Sequence, residues 1–138
     1  MSAPNIIITQ LDKDRLEQVL TTAVAQAIGP DSHLEAFRRE FERATVVSPE
    51  EIPADIVTMN STVNLYDMEF DVTDSYTLVY PVDADIFSNR LSILNPMGMA
   101  ILGRRPGDVA RWQNSHGEHM LEVRGLAFQP EREGAMNL

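Results

Sequence analysis

The sequence has no cysteine, a single lysine at Lys13, and no apolar run that approaches a membrane span. The first absence excludes a disulfide framework, a thiolate metal centre and thiol redox chemistry, and it suits a reducing compartment. With one lysine and no glycine-rich loop ending in Lys and Ser or Thr, there is no phosphate cradle for kinase chemistry. Crossing a bilayer takes roughly 20 apolar residues, and no basic amino-terminal segment precedes an apolar stretch, so the cytoplasm is the expected location. Basic residues are scarce as well: 11 Lys and Arg against 21 Asp and Glu give a formal charge of -10. That balance opposes attraction to phosphate backbones and anionic lipid, so neither direct sequence-specific nucleic-acid reading nor membrane binding is expected.

What is present suffices for a folded core, since 43% of the 138 residues are hydrophobic. Leu16, Val19, Leu20, Ala23, Val24, Ala27 and Ile28 recur at three and four, the spacing of one helical face over residues 12–28. Gly29-Pro30 stops that helix, and Leu34, Phe37, Phe41 and Ala44 form the seam of a second. Residues 1–47 therefore read as a short antiparallel helical hairpin of coiled-coil type. Pro49 and Pro53 break the pattern and make 48–55 a linker turn. Beyond it, segments 56–66, 75–81, 90–94, 109–113 and 119–128 are rich in β-branched and aromatic residues and predict an antiparallel sheet. The fold class is α+β, with a sheet domain over 56–130 and a fraying tail over 131–138.

The densest punctuation lies in residues 92–108. Asn95 suits an N-cap, Pro96 the first helical position and Gly103 the left-handed residue that ends a helix, which predicts a two-turn helix over 96–102. Pro106-Gly107 then forces a turn into the next strand.

This order, strand, Pro-started helix, Leu102-Gly103 end and Pro106-Gly107-Asp108-Val109 into a strand, resembles the carboxyl-terminal FKBP-like domain of the Gre transcript-cleavage factors. Residues 48–61, SPEEIPADIVTMNS, and Pro4-Asn5-Ile6-Ile7-Ile8 are similar to one branch of that superfamily, the Rnk-type regulators of nucleoside diphosphate kinase. The resemblance implies a partner, RNA polymerase, bound at the rim of its secondary channel by the loop before the short helix. The matching positions are Leu94, Asn95 and Pro96, of which Pro96 alone keeps the family's residue type. Met97 and Met99 flank Gly98 beside that loop and offer an adaptable apolar surface, although Met97 and Ile101 share a helical face and one methionine is expected to fill the core.

Gre factors carry acids at the tip of a long coiled coil that help hold a catalytic Mg²⁺ in the polymerase. The acids near the corresponding turn here are Asp31 and Glu35, and a helix of about 17 residues rises only ~25 Å. An arm of that length stops short, so transcript cleavage is not expected and the implied mode of action is occupancy and competition with Gre factors. Any effect on a nucleoside diphosphate kinase is then indirect, through expression. A helix-start role for Asp31 beside Ser32 is the simpler reading.

No residue is assigned to catalysis, and no cofactor or metal is expected. His116-Gly117-Glu118-His119 reads as a hairpin around Gly117, with His33 far from it in the chain and no second ligand cluster. No serine lies in a nucleophile elbow. The alternative reading is a stand-alone FKBP-like protein-binding or prolyl isomerase module, against which Tyr66, Phe70, Tyr76, Phe87 and Trp112 are assigned to sheet packing. A direct allosteric action on a nucleotide kinase is a third possibility, and the chain is expected to be a monomer.

Overall fold

The structure, a computed structural model, describes residues 6–26, 32–114 and 117–134. The chain enters through β1 (Ile7–Thr9) and turns directly into α1 (Gln10–Gln26). Thr9 makes that transition abrupt, because its Oγ1 accepts the Asp12 N–H at 3.1 Å and satisfies a donor of the first helical turn. The second helix, α2 (Ser32–Glu42), leads into β2 (Thr45–Val47), and β2 pairs in parallel with β1, Ile7 opposite Thr45. Both strands are β-branched nearly throughout, which suits three-residue edges that no longer pattern reveals.

The expected helical spacing delivers its core: Leu16 and Leu20 of α1 and Leu34, Phe37 and Phe41 of α2 are buried. Val24, assigned to the same face, is instead 41% exposed. A cleft lined by Leu20, Val24, Arg38 and Phe41 runs between the two helices. Their buried side chains join one continuous core with Val57, Val63, Leu65, Leu78, Ile101 and Val123 from the rest of the chain. The turn residues 27–31, and with them Asp31, lie outside the described residues.

After a 3₁₀ turn at Pro49–Glu51, five strands form the main sheet. These are β3 (Thr62–Asp67), β4 (Val72–Val79), β5 (Arg90–Ser92), β6 (Val109–Asn114) and β7 (Gly117–Phe128), in the order β5-β4-β3-β7-β6. The sheet is mixed, which corrects the antiparallel expectation: β5 pairs with β4 in parallel, Thr77 opposite Arg90. A parallel neighbour needs a long return connection. Two 3₁₀ turns, Pro81–Asp83 and Ile86–Ser88, and the left-handed Asn89 at φ 54° supply it.

The strand expected from Ile56 starts only at Thr62. Over 56–61 the backbone folds into a turn in which Ser61 Oγ accepts the Thr58 N–H at 3.0 Å and Asn60 takes φ 67°. Ile56, Val57 and Met59 are buried there outside any strand, with Val57 exchanging backbone hydrogen bonds with Gly103 and Arg104 at 2.9 Å, and that burial accounts for the segment's strand-like composition. The tail also differs from expectation. Residues 130–133 form a one-turn helix, α4 (Pro130–Glu133), capped by the buried Gln129, whose amide also donates to the carbonyls of Pro53 and Ile56 at 2.9 and 2.7 Å.

Candidate partner-binding site

The short helix α3 (Pro96–Ile101) forms as its punctuation predicts. Asn95 is exposed, and its Oδ1 accepts the Met97 N–H at 2.9 Å. Pro96 occupies the first turn, where a missing N–H costs nothing. The loop is tied back by Asn95 N–H to the Ser92 carbonyl at 3.0 Å and by Leu94 N–H to Ser92 Oγ at 3.1 Å. A Cβ on Gly98 would collide with the Ser92 carbonyl, so this residue lets the helix lie against the strand that precedes it. Gly103, at φ 78°, ends the helix and leaves room for Ile6, whose Cβ would stand 2.5 Å from an added methyl.

The structure resolves the pair of methionines. Met99 is 9% exposed and belongs to the core, whereas Met97 is half-buried, as are Leu94 and Pro96. Leu94, Asn95, Pro96 and Met97 thus share one accessible ridge, with Met99 as its buried backing. Glu35 is exposed on α2, away from this ridge in the chain.

The helical pair lies against the sheet domain at both ends of α2. Near its start, His33 Nε2–H meets the backbone carbonyl of Gln113 on β6. Near its end, Glu40 accepts from Arg104 Nη2 at 3.0 Å, and Arg104 Nε–H donates to the Ala100 carbonyl of α3. The first contact brings His33, far from the β6–β7 hairpin in the chain, against its backbone at Gln113. His119 stacks on Trp112 with ring centroids 5.5 Å apart, and His116 lies outside the described residues. Among the described residues no group of three or more His, Asp or Glu side chains is arranged to hold an ion.

Two features escaped sequence reasoning. The first is Asp12, in the first turn of α1 and buried at 4% exposure. Its carboxylate accepts the Met59 N–H at 3.1 Å and the Tyr80 hydroxyl at 3.4 Å. Burial dominates and pushes its pKa up to about 6, against the opposing pull of the Met59 N–H. Burial also raises the Tyr80 phenol well above its usual range, with the Asp12 charge adding to it. Arg15 lies over the Tyr80 ring, 5.9 Å from its centroid.

The second is the exposure of Phe70 (70%) and Phe87 (97%), which corrects their assignment to sheet packing. Val82 and Ile86 accompany Phe87 at 89% and 83%. A signal existed: Asp85 and Asn89 bracket Ile86-Phe87 with turn chemistry, and apolar residues inside a turn have no sheet face to occupy.

Comparisons with known proteins agree with this architecture. Residues 42–126 match the family model described as transcription elongation factor GreA/GreB, C-terminal, and residues 4–47 match the Rnk N-terminus. The regulator of nucleoside diphosphate kinase of Escherichia coli K12 is 40% identical over 135 residues, 97% of either chain. Transcription elongation factor GreA of Clostridium beijerinckii is 35% identical over 87 residues, 63% of this chain and 54% of that protein. The solved prokaryotic transcription elongation factor GreA/GreB from Nitrosomonas europaea superposes with a TM-score of 0.74 at 36% identity, covering 91% of this chain and all of the other. A sheet domain with a glycine-tight α3, joined to an amino-terminal region of the Rnk type, makes this chain a member of the GreA/GreB family.

Proposed function

We propose that this protein is a transcription regulator that binds RNA polymerase at the entrance of the secondary channel and competes there with Gre-type factors without stimulating transcript cleavage. The observation that carries the reading is the pairing of a GreA/GreB carboxyl-terminal domain with a short helical pair tied down on it. The α1 helix of 17 residues rises only ~25 Å. Contacts at His33 and Arg104 hold α2 against β6 and α3 instead of projecting it. The ridge at Leu94, Asn95, Pro96 and Met97 provides the docking loop, and Glu35, in the first turn of the clasped α2, has no reach to a metal in the polymerase.

Competition for one surface needs no chemistry by this chain, because mass action suffices. An effect on nucleoside diphosphate kinase then follows through expression, in the cytoplasm, from a protein acting as a monomer. The test is co-precipitation with core polymerase, followed by displacement with a Gre factor and a transcript-cleavage assay on stalled complexes. Binding, displacement and no stimulated cleavage are expected, and failure to bind rejects the function.

A further inference from the structure

Two carboxylates stand on the apolar face of the main sheet. Side chains alternate along a strand, so Leu65 and Asp67 of β3 share one face with Asp74 and Tyr76 of β4 and with His119 and Leu121 of β7. Leu65 and Leu121 are buried on it, and Asp74 lies opposite Leu65 while Asp67 lies opposite Leu121. Alternation calls for apolar residues at both positions, and a break in a pattern kept elsewhere marks a place with another task. Asp67 Oδ1 accepts the Glu69 and Phe70 N–H groups at 2.9 and 3.3 Å. Among the described residues no ion pair engages Asp67, Glu69 or Asp74.

A cavity of about 200 Å³ opens over these residues. Trp112 stands in its wall and stacks on His119 with ring centroids 5.5 Å apart, and half-buried Tyr76 and Met97 complete the wall. His119 Nε2 is buried without a hydrogen-bond partner among the described residues, a polar atom of the wall that the protein itself leaves unmet. The Tyr76 phenol registers the charge of the space: burial raises its pKa above the usual range, and the negative charges of Asp74 and Asp67 add to the rise.

The lining selects the occupant. Among the described residues no Lys or Arg lines the cavity, whereas Asp67, Glu69, Asp74 and Glu118 do, the last within 3.8 Å of Arg111. That balance disfavours an anion. Nor are three or more of the described His, Asp or Glu side chains arranged to hold a metal ion. Aromatic faces and thioethers beside carboxylates fit a cation that brings its own apolar surface, because ring faces attract the charge while the walls cover the stem. Drug-sized ligands need roughly 300–1,000 Å³, so only a short stem is accommodated.

We infer that the cavity over the β3–β4 and β6–β7 ends of the sheet binds a small organic cation, an ammonium or guanidinium head on a short aliphatic stem, with Asp67 and Asp74 holding the head and Trp112, Tyr76 and Met97 enclosing the stem. Trp112 is the only tryptophan of the chain, so its fluorescence reports on this site alone. The experiment titrates the full chain with butylguanidinium and with its uncharged isostere butylurea at constant ionic strength. The cation should change Trp112 emission saturably, and butylurea should not. Asp67→Asn with Asp74→Asn keeps the side-chain shapes and the turn acceptor at position 67, so the melting temperature should not fall while cation binding weakens about tenfold or more. A two-dimensional NMR titration of the wild type is a second readout that needs no variant, with shifts expected to centre on Tyr76, Trp112 and His119. An unsaturable response, an equal response to butylurea, equal binding by the double variant or shifts centred elsewhere overturns the site. No polymerase enters the measurement, so its failure leaves the function proposed above standing.

Discussion

The α3 helix and the turn at Ile86–Ser88 begin with the same local chemistry and end in opposite environments. Asn95 accepts the Met97 N–H and Asp85 accepts the Phe87 N–H, each two residues on. Yet Met99 and Ile101 are buried, whereas Ile86 and Phe87 stand almost wholly in solvent. Side-chain capping fixes where a turn of helix starts, because it satisfies an orphan amide whatever lies beyond. Which apolar residues are covered depends on what packs above, and here α3 has the sheet, Ile6 and α2 around it, while among the described residues the side chains of Ile86 and Phe87 are left uncovered.

Substitutions on the two elements should separate these effects. The largest is expected at Gly98→Ala, where the added methyl meets the fixed Ser92 carbonyl: denaturant melts should register a loss of about 3 kcal/mol. A loss under about 1 kcal/mol would mean that α3 can shift off its strand and is not held as tightly as described.

Next comes Asp12, the buried acid that accepts from the Tyr80 hydroxyl. Its folded pKa of about 6 exceeds the ordinary 3.8, so the folded state prefers the protonated acid. Its favourable contribution is complete below pH 3.8 and is lost as pH rises through about 6. Asp12→Asn should therefore equal the wild type near pH 4 and be more stable at pH 8, by on the order of 2 kcal/mol. Paired urea titrations across that range isolate the group, and an advantage that grows toward low pH would contradict the burial argument.

The two caps come third. Asn95→Ala and Asp85→Ala should each cost about 1 kcal/mol in the same melts. Equal losses support a shared local origin, while a cost confined to Asn95 would make the exposed turn less ordered than its hydrogen bonds indicate. Smallest of all, Phe87→Ala should change stability by less than about 0.5 kcal/mol, since the ring has almost no contact to lose.

The legible parts of the molecule are those whose signals are local. The 96–102 helix could be drawn from Asn95, Pro96 and Gly103 because capping and positive φ are properties of single residues. Both long helices followed from the spacing of Leu16, Leu20, Leu34, Phe37 and Phe41. The place of Leu94, Asn95 and Pro96 just before the short helix was legible too, but which methionine faced out was not, since Met97 and Met99 are chemically alike and differ only in direction. Three-residue strands such as β1 and β2 carry no period to detect, and Ile56–Ser61 borrowed the composition of a strand from its burial.

By itself the amino-acid order determined the punctuation of α3, the buried rows of α1 and α2, the acidic balance and the family to which the chain belongs. Tertiary structure alone decided that β5 lies parallel to β4, that α2 is clasped by Gln113 and Arg104, that Asp12 is dry and that Phe87 is wet. The physical reason is range: capping and periodicity act over a few bonds, whereas burial is set by residues that meet only after the chain has folded.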